Sequence, residues 1–238
     1  MEFIYIIYII LMNICVNYWG QPRLLNVIQN MYETQINDKI NNFYICYTTW
    51  KTEDVTKFKR IFPNSYINQI DHPDLTSDKY KNIIANFKYD SYNPDIKHYI
   101  LGLHVREQSL NTVSSYQKYI NVKFDFIITI RPDTEIKENT LFNFYSLIHL
   151  NPAYIYVPDR PRYDIYNKGT VPDALIITNM NSLKEIFKFP NFNDIKVNGN
   201  LIHPESATGQ MIQFSKIKCI FLNIFSFRVE HFGRKEYL

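Results

Sequence analysis

Apolar runs with the pattern of strands alternate with segments of helical spacing along most of this chain. Met12 to Tyr18 reads as a first strand, closed by the turn Trp19-Gly20-Gln21-Pro22-Arg23. Leu24 to Ile36 then sets Leu24, Leu25, Ile28, Met31 and Tyr32 at helical spacing, and Pro22 suits the first turn of that helix. Asn42 to Thr49 predicts a second strand, Thr52 an N-cap for a helix through Ile61, and Ser65 to Ile70 a third strand. The polar stretch from Asp74 to Asn93 reads as loop plus a short helix from Ser77 to Phe87. Asp95 to Tyr119 repeats apolar positions one or two turns apart, which predicts a long crossover helix.

That helix delivers the chain into Phe124-Asp125-Phe126-Ile127-Ile128-Thr129-Ile130, an isoleucine-rich run of the kind buried on both faces of a sheet. Arg131-Pro132 ends it, because proline cannot donate to a ladder. Asp133 and Glu135 follow at once. Two readings stand for this pair: hard oxygen ligands for a divalent cation that holds a diphosphate, or turn residues capping the next helix. Beyond them, Asn139 to Leu150 predicts a helix and Ala153 to Val157 a strand. Arg160 to Thr170 is a long charged loop, and Pro172-Asp173 leads into a strand ending at Thr178. Asn181 to Phe189 is a short helix, Pro190 to Gly199 a loop, and His203-Pro204-Glu205 opens a helix through Phe214. Lys218 to Leu222 and Phe225 to Val229 are short late strands. The alternation is that of an α/β protein.

Composition narrows the function classes. The chain has 238 residues, which fits one large domain or two small ones, and its 46% hydrophobic and 16% aromatic content is ample for a sizeable core. A formal net charge of +3, with Tyr and Phe interleaved with Ile and Asn rather than Lys and Arg, argues against a nucleic-acid binder. Cys15, Cys46 and Cys219 each lie in an apolar run without metal-ligand spacing, the usage of buried free thiols in a reducing compartment. There is no Asn-x-Ser/Thr sequon. Residues 1–11 form an apolar extension or the start of the first strand, with Met12 an alternative start. Met1 to Val16 is shorter than the ~20 residues of a membrane helix and lacks the flanks of a signal peptide. The expectation is a cytoplasmic protein, with membrane association through this stretch as the alternative. His98, His104, His149, His203 and His231 are scattered.

A strand, a glycine turn and a helix start make a cradle for anions, since free N–H groups point out of a helix N-terminus. Gly20-Gln21-Pro22-Arg23 has this form, and Thr48-Thr49-Trp50-Lys51 ends the next strand. With Arg131-Pro132-Asp133, Val171-Pro172-Asp173 and His203-Pro204-Glu205, in this order from about Met12 to Arg228, the chain resembles the GT-A class of glycosyltransferases. More narrowly it is similar to a bacterial and giant-virus group in which Arg-x-Asp replaces the Asp-x-Asp motif. The resemblance implies a single GT-A-like (Rossmann-like) domain over 12–238, with a mixed, mainly parallel sheet flanked by helices. Residues 12–136 would form the nucleotide-sugar half and 137–238 the acceptor half.

It implies transfer of a sugar from a nucleotide-diphosphate sugar donor to a glycan or other hydroxyl acceptor. Asp133, with Glu135, would hold Mn2+ or Mg2+, and Gly20, Gln21, Arg23, Thr49 and Arg131 would border the donor. Trp50 would stack near the base or serve as core. Asp173 and Glu205 would be candidate general bases, each with the alternative of a turn or helix-cap carboxylate. Glu135 departs from the aspartate of the motif, so a catalytically inactive nucleotide- or glycan-binding module is a competing reading, and a membrane-associated interaction protein is another.

Overall fold

The computed structural model describes residues 12–22, 25–31, 42–89, 95–132, 134–136, 149–159, 171–195, 201–202, 204–222, 226–229 and 235–236. Strand β1 (Asn13–Trp19) lies at the heart of a seven-stranded sheet. Its alternate side chains supply two different cores. Ile14, Val16 and Tyr18 face one apolar layer, and Cys15 and Trp19 face the other. Burial on both sides removes any need for polar alternation, which is why the strand reads as a continuous apolar run.

Helix α1 (Leu25–Met31) and α2 (Thr56–Ile61) cover the first face, where Leu25, Ile28 and Phe58 meet Tyr18 and Tyr47. Strand β2 (Asn42–Trp50) and β3 (Tyr66–Ile70) continue the sheet parallel to β1, in the order β1-β2-β3. Thr52 does not cap α2. The helix starts three residues later than expected because the chain first turns back at 50–53, with Glu53 N donating to the Trp50 carbonyl. Asp54 then accepts from Thr56 N at 2.9 Å, and hydrogen bonding from the Thr56 side chain, with this backbone bond second, holds its carboxyl below the usual value.

After β3 come α3 (Asp78–Asn86), the two-residue β4 (Lys88–Tyr89) and the long α4 (Ile96–Ile120). Asp95 caps α4 by accepting from Lys97 N, and Asn121 ends it in the left-handed region at φ 53°. The inward stripe of α4 is mixed. Val105, Val113 and Tyr116 join the second core, while Ser109 and Thr112 bond Asn17 and Thr48 beneath the sheet. The helix crosses that face and returns the chain to β5 (Phe126–Ile130), which pairs parallel with β1 on the edge away from β2.

β6 (Thr134–Ile136) follows immediately. The chain then gives β7 (Ile155–Pro158), β8 (Leu175–Thr178), α5 (Met180–Phe187), β9 (Leu201–Ile202), α6 (Pro204–Ser215), β10 (Cys219–Leu222), β11 (Ser226–Val229) and β12 (Lys235–Glu236). The main sheet has the order β10-β7-β8-β5-β1-β2-β3 and is parallel except at β8, which runs against both β5 and β7. β12-β11-β6 and β4-β9 form two small satellites. Helices on both faces of a mainly parallel sheet fulfil the expected α/β class. The expected helix from Asn139 to Leu150 lies outside the described residues except for 149–150, and so does the loop from Arg160 to Thr170. All three cysteines are free and buried, as expected. Among the described residues no helix is long and apolar enough to cross a membrane.

A candidate active site at the carboxyl edge of the sheet

The chain runs β1-β2-β3 toward one edge, then crosses back to place β5 on the other side of β1. The strand order therefore reverses between β1 and β5. In an open α/β sheet, the loops that leave two such strands diverge and open a crevice beyond their carboxyl ends, where ligands bind. Here those loops begin at Gly20 and at Arg131-Pro132.

Gly20 has φ +107°, a conformation that a side chain would strain. Its N–H donates to the Thr48 carbonyl at 3.0 Å and its carbonyl accepts from the Tyr47 hydroxyl at 2.9 Å. The turn is thus bound to β2 on both sides of one residue. A Cβ built on Gly20 would lie 4.0 Å from Pro132 Cδ, so the two exit loops run side by side. Gln21 is exposed beside the turn, and Arg23 lies outside the described residues.

Because β8 is antiparallel to β5, it starts where β5 ends. Arg131 N donates to the Ala174 carbonyl at 3.0 Å, which sets Asp173 against Arg131. The guanidinium Nη1 is 3.9 Å from Asp173 Oδ1, with the side chains 23% and 15% exposed. That is an ion pair longer than a hydrogen bond, with both partners accessible to a ligand. Val171 N donates to the Glu205 carbonyl at 3.2 Å, joining the segment before β8 to the first turn of α6. Gly20, Arg131, Asp173 and Glu205, separated by as much as most of the chain, thus belong to one neighbourhood.

Other expected positions fall elsewhere. Thr49 is fully buried within β2, opposite Gln69, because the strand continues to Trp50 before it turns. Trp50 is 5% exposed, and the His72 ring stacks on it with centroids 4.1 Å apart and planes 14° apart. It is core roofed by a histidine. Glu135 lies on β6 opposite Phe227 of β11, so its backbone belongs to a ladder rather than to a helix-capping turn. Asp133, His203 and the side chain of Glu135 lie outside the described residues. Among the described residues no three His, Cys, Asp or Glu side chains converge on a point. Between the two acidic positions, however, the buried Thr134 hydroxyl has no hydrogen-bond partner among the described residues, an oxygen of the kind hard cations take.

Two residues escaped the sequence. His72 sits in a polar loop with no motif, and its stacking depends on where β3 ends. Arg106 is 3% exposed on α4. The available signal was its place on the inward stripe of a helix, where a charge almost never lies unless paired.

No family model matches the sequence, and no curated protein matches it. Among solved structures, the chain is similar to a mannosyltransferase from Pyrobaculum calidifontis in complex with GDP-Man and Mn2+, at 12% identity and TM-score 0.48 over 89% of this chain. The chain spans 55% of that protein's length. It is also similar to mouse xyloside xylosyltransferase 1, at 9% identity and TM-score 0.44, covering 88% of this chain and 85% of that chain. A third likeness is to S. aureus TarS in complex with UDP-GlcNAc, at 14% identity and TM-score 0.45, covering 89% of this chain and 56% of that chain.

Proposed function

We propose that this chain is a glycosyltransferase that moves a sugar from a nucleotide-diphosphate sugar to a hydroxyl acceptor. The observation that carries this reading is the meeting of the Gly20 turn with Arg131-Pro132 at the β1/β5 reversal, with Asp173 across from Arg131. The donor diphosphate would lie along the Gly20-Gln21 backbone. Arg131 supplies a cation for its oxygens, and pairing with phosphate would loosen its hold on Asp173. The donor would rest mainly on residues 12–136 and the acceptor on 137–238, with the crevice drawn from both.

In the transfer, the acceptor oxygen forms a bond to the anomeric carbon while the bond to the diphosphate breaks, and the nucleoside diphosphate leaves with the electron pair. The acceptor's proton goes to a carboxylate, for which Asp173 is the candidate and Glu205 the second. Asp133 and Glu135 would hold Mn2+ or Mg2+, and the Thr134 hydroxyl, which has no hydrogen-bond partner among the described residues, is compatible with such a site. When bound, such a cation would neutralise charge on the leaving diphosphate.

The test is release of nucleoside diphosphate by the purified full chain from a panel of nucleotide sugars, GDP-mannose and UDP-GlcNAc among them, with Mn2+ or Mg2+ present. Asp173→Asn is expected to lower turnover by about 10²-fold or more. Failure of every donor both to turn over and to bind by calorimetry would sink the reading. A second reading, a binding module without turnover, draws on Glu135, whose backbone is committed to a strand. Donor binding with no release across many acceptors would select it.

A further inference from the structure

Helix α4 carries a cation into the interior. Arg106 Nη1 donates to Thr208 Oγ1 at 2.9 Å and Nη2 donates to the Ile186 carbonyl at 3.2 Å. The guanidinium carbon stands 4.9 Å over the Phe187 ring, and Met211 Sδ is 3.8 Å from Nη2. Among the described residues, Nε has no hydrogen-bond partner and no carboxylate lies within ion-pair distance. Burial pulls its pKa down, while the charges of Tyr99 and Asp173 act the other way. An apolar side chain of similar volume would fill this place without the desolvation cost, so packing alone does not account for an arginine.

Its contacts do. Ile186 lies in the last turn of α5, where carbonyls lack helical partners. Thr208 is one turn beyond Glu205 on α6. The Glu205 carbonyl in turn receives Val171 N, two residues before Asp173. A fixed guanidinium fork therefore joins α4 to α5 and α6 at the point from which the Asp173 segment hangs.

We propose that Arg106 is a positioning residue: by holding Thr208 and the end of α5, it sets the first turn of α6 and, through the Val171–Glu205 bond, the placement of Asp173 against Arg131. Its catalytic consequence rests on the sugar-transfer reading of the crevice; its structural consequence does not.

The test uses the full chain with Thr208→Val, Thr208→Ser, Arg106→Met and Arg106→Lys. Amide hydrogen exchange at Val171 is read against the β1 amides, which report global stability. Thr208→Val is expected to speed exchange at Val171 by about tenfold while β1 stays at the wild-type rate, and Thr208→Ser to restore it. Arg106→Met should do the same, and Arg106→Lys, lacking the fork, should restore it only in part. In nucleoside diphosphate release, Thr208→Val should lower kcat about tenfold with the donor KM within about twofold, because the Gly20 side of the crevice is untouched. Wild-type exchange at Val171 in Thr208→Val overturns the proposal. So does faster exchange at Val171 and β1 alike, the mark of a merely structural residue. Should Arg106→Met fail to fold, Thr208→Val decides. A wild-type protein that neither binds nor processes any donor sinks the sugar-transfer reading, while selective loosening of Val171 in the same protein still upholds the positioning role.

Discussion

At the scale of single residues, the crevice depends on one backbone conformation and one ion pair. Gly20 has room for a methyl group, since the nearest atom to a built Cβ is at ordinary contact distance. What it lacks is a side chain's tolerance of φ +107°. Gly20→Ala is therefore expected to destabilise the fold by about 1–2 kcal/mol in urea unfolding. Asp173 and Arg131 are coupled by a pair only partly exposed, so their changes should not be additive. A double-mutant cycle with Asp173→Asn and Arg131→Gln, read on donor release, is expected to give a coupling of about 0.5–3 kcal/mol. Additivity would mean that the two act apart. The places of Gly20 in a turn and of Asp173 ahead of a strand were legible because turn chemistry is local: a glycine after an apolar run, a carboxylate after a proline. Arg106 and His72 were not, because what makes them notable is a neighbour far away in sequence.

At the scale of elements, α4 was the most legible. Its span was foreseen to within a residue at each end, because apolar spacing is a local signal; Asp95, read as its first residue, is its cap. Asp95→Ala is expected to cost about 1 kcal/mol, measurable by thermal or urea unfolding. α2 misled because Thr52 is a good cap by residue type, and only the tight turn after Trp50 carries the helix start on to Thr56, behind Val55. His104 on α4 faces Trp50, His72 and Tyr80, with Glu107 and Lys79 nearby. Burial holds its pKa below 6.5, helped by Lys79 and His72 and opposed by Glu107. The unfolded chain thus binds the proton more readily than the folded one. The stability that the neutral ring contributes is full above about pH 6.5 and falls as pH drops through that value toward the folded pKa. His104→Phe, which keeps a flat ring beside Trp50, is expected to flatten the fall of the melting temperature between about pH 7 and about pH 5.

At the scale of the molecule, the class and the succession of strands were legible, whereas the order of strands in the sheet was not. Alternating strand and helix patterns predict a parallel sheet, but nothing in Leu175-Ile176-Ile177-Thr178 announces that it runs against its neighbours. A strand buried on both faces looks alike in either direction. Of the satellite strands, β11 was foreseen as Phe225 to Val229, whereas β4, β9 and β12 are two residues long, too short for any period to show. The crevice is a property of this largest scale. Arg131 and Asp173 become partners only because the reversed β8 begins beside the end of β5.

The central place of β1 also bears on how the chain comes to be folded. Ile14 pairs with Phe43 on one side and with Phe126 on the other. Synthesis makes the first partner soon and the second only after α4 has been completed. Until then the ribosome-borne chain carries a paired β1, β2 and β3 with one apolar edge unsatisfied, the kind of edge that recruits other chains. A fragment of residues 12–94 is expected to associate through that edge, as judged by light scattering. Extension to residue 130, which restores both the covering helix and the missing strand, is expected to suppress it. The strand that opens the crevice is thus also the one whose late partner governs how safely the protein is made.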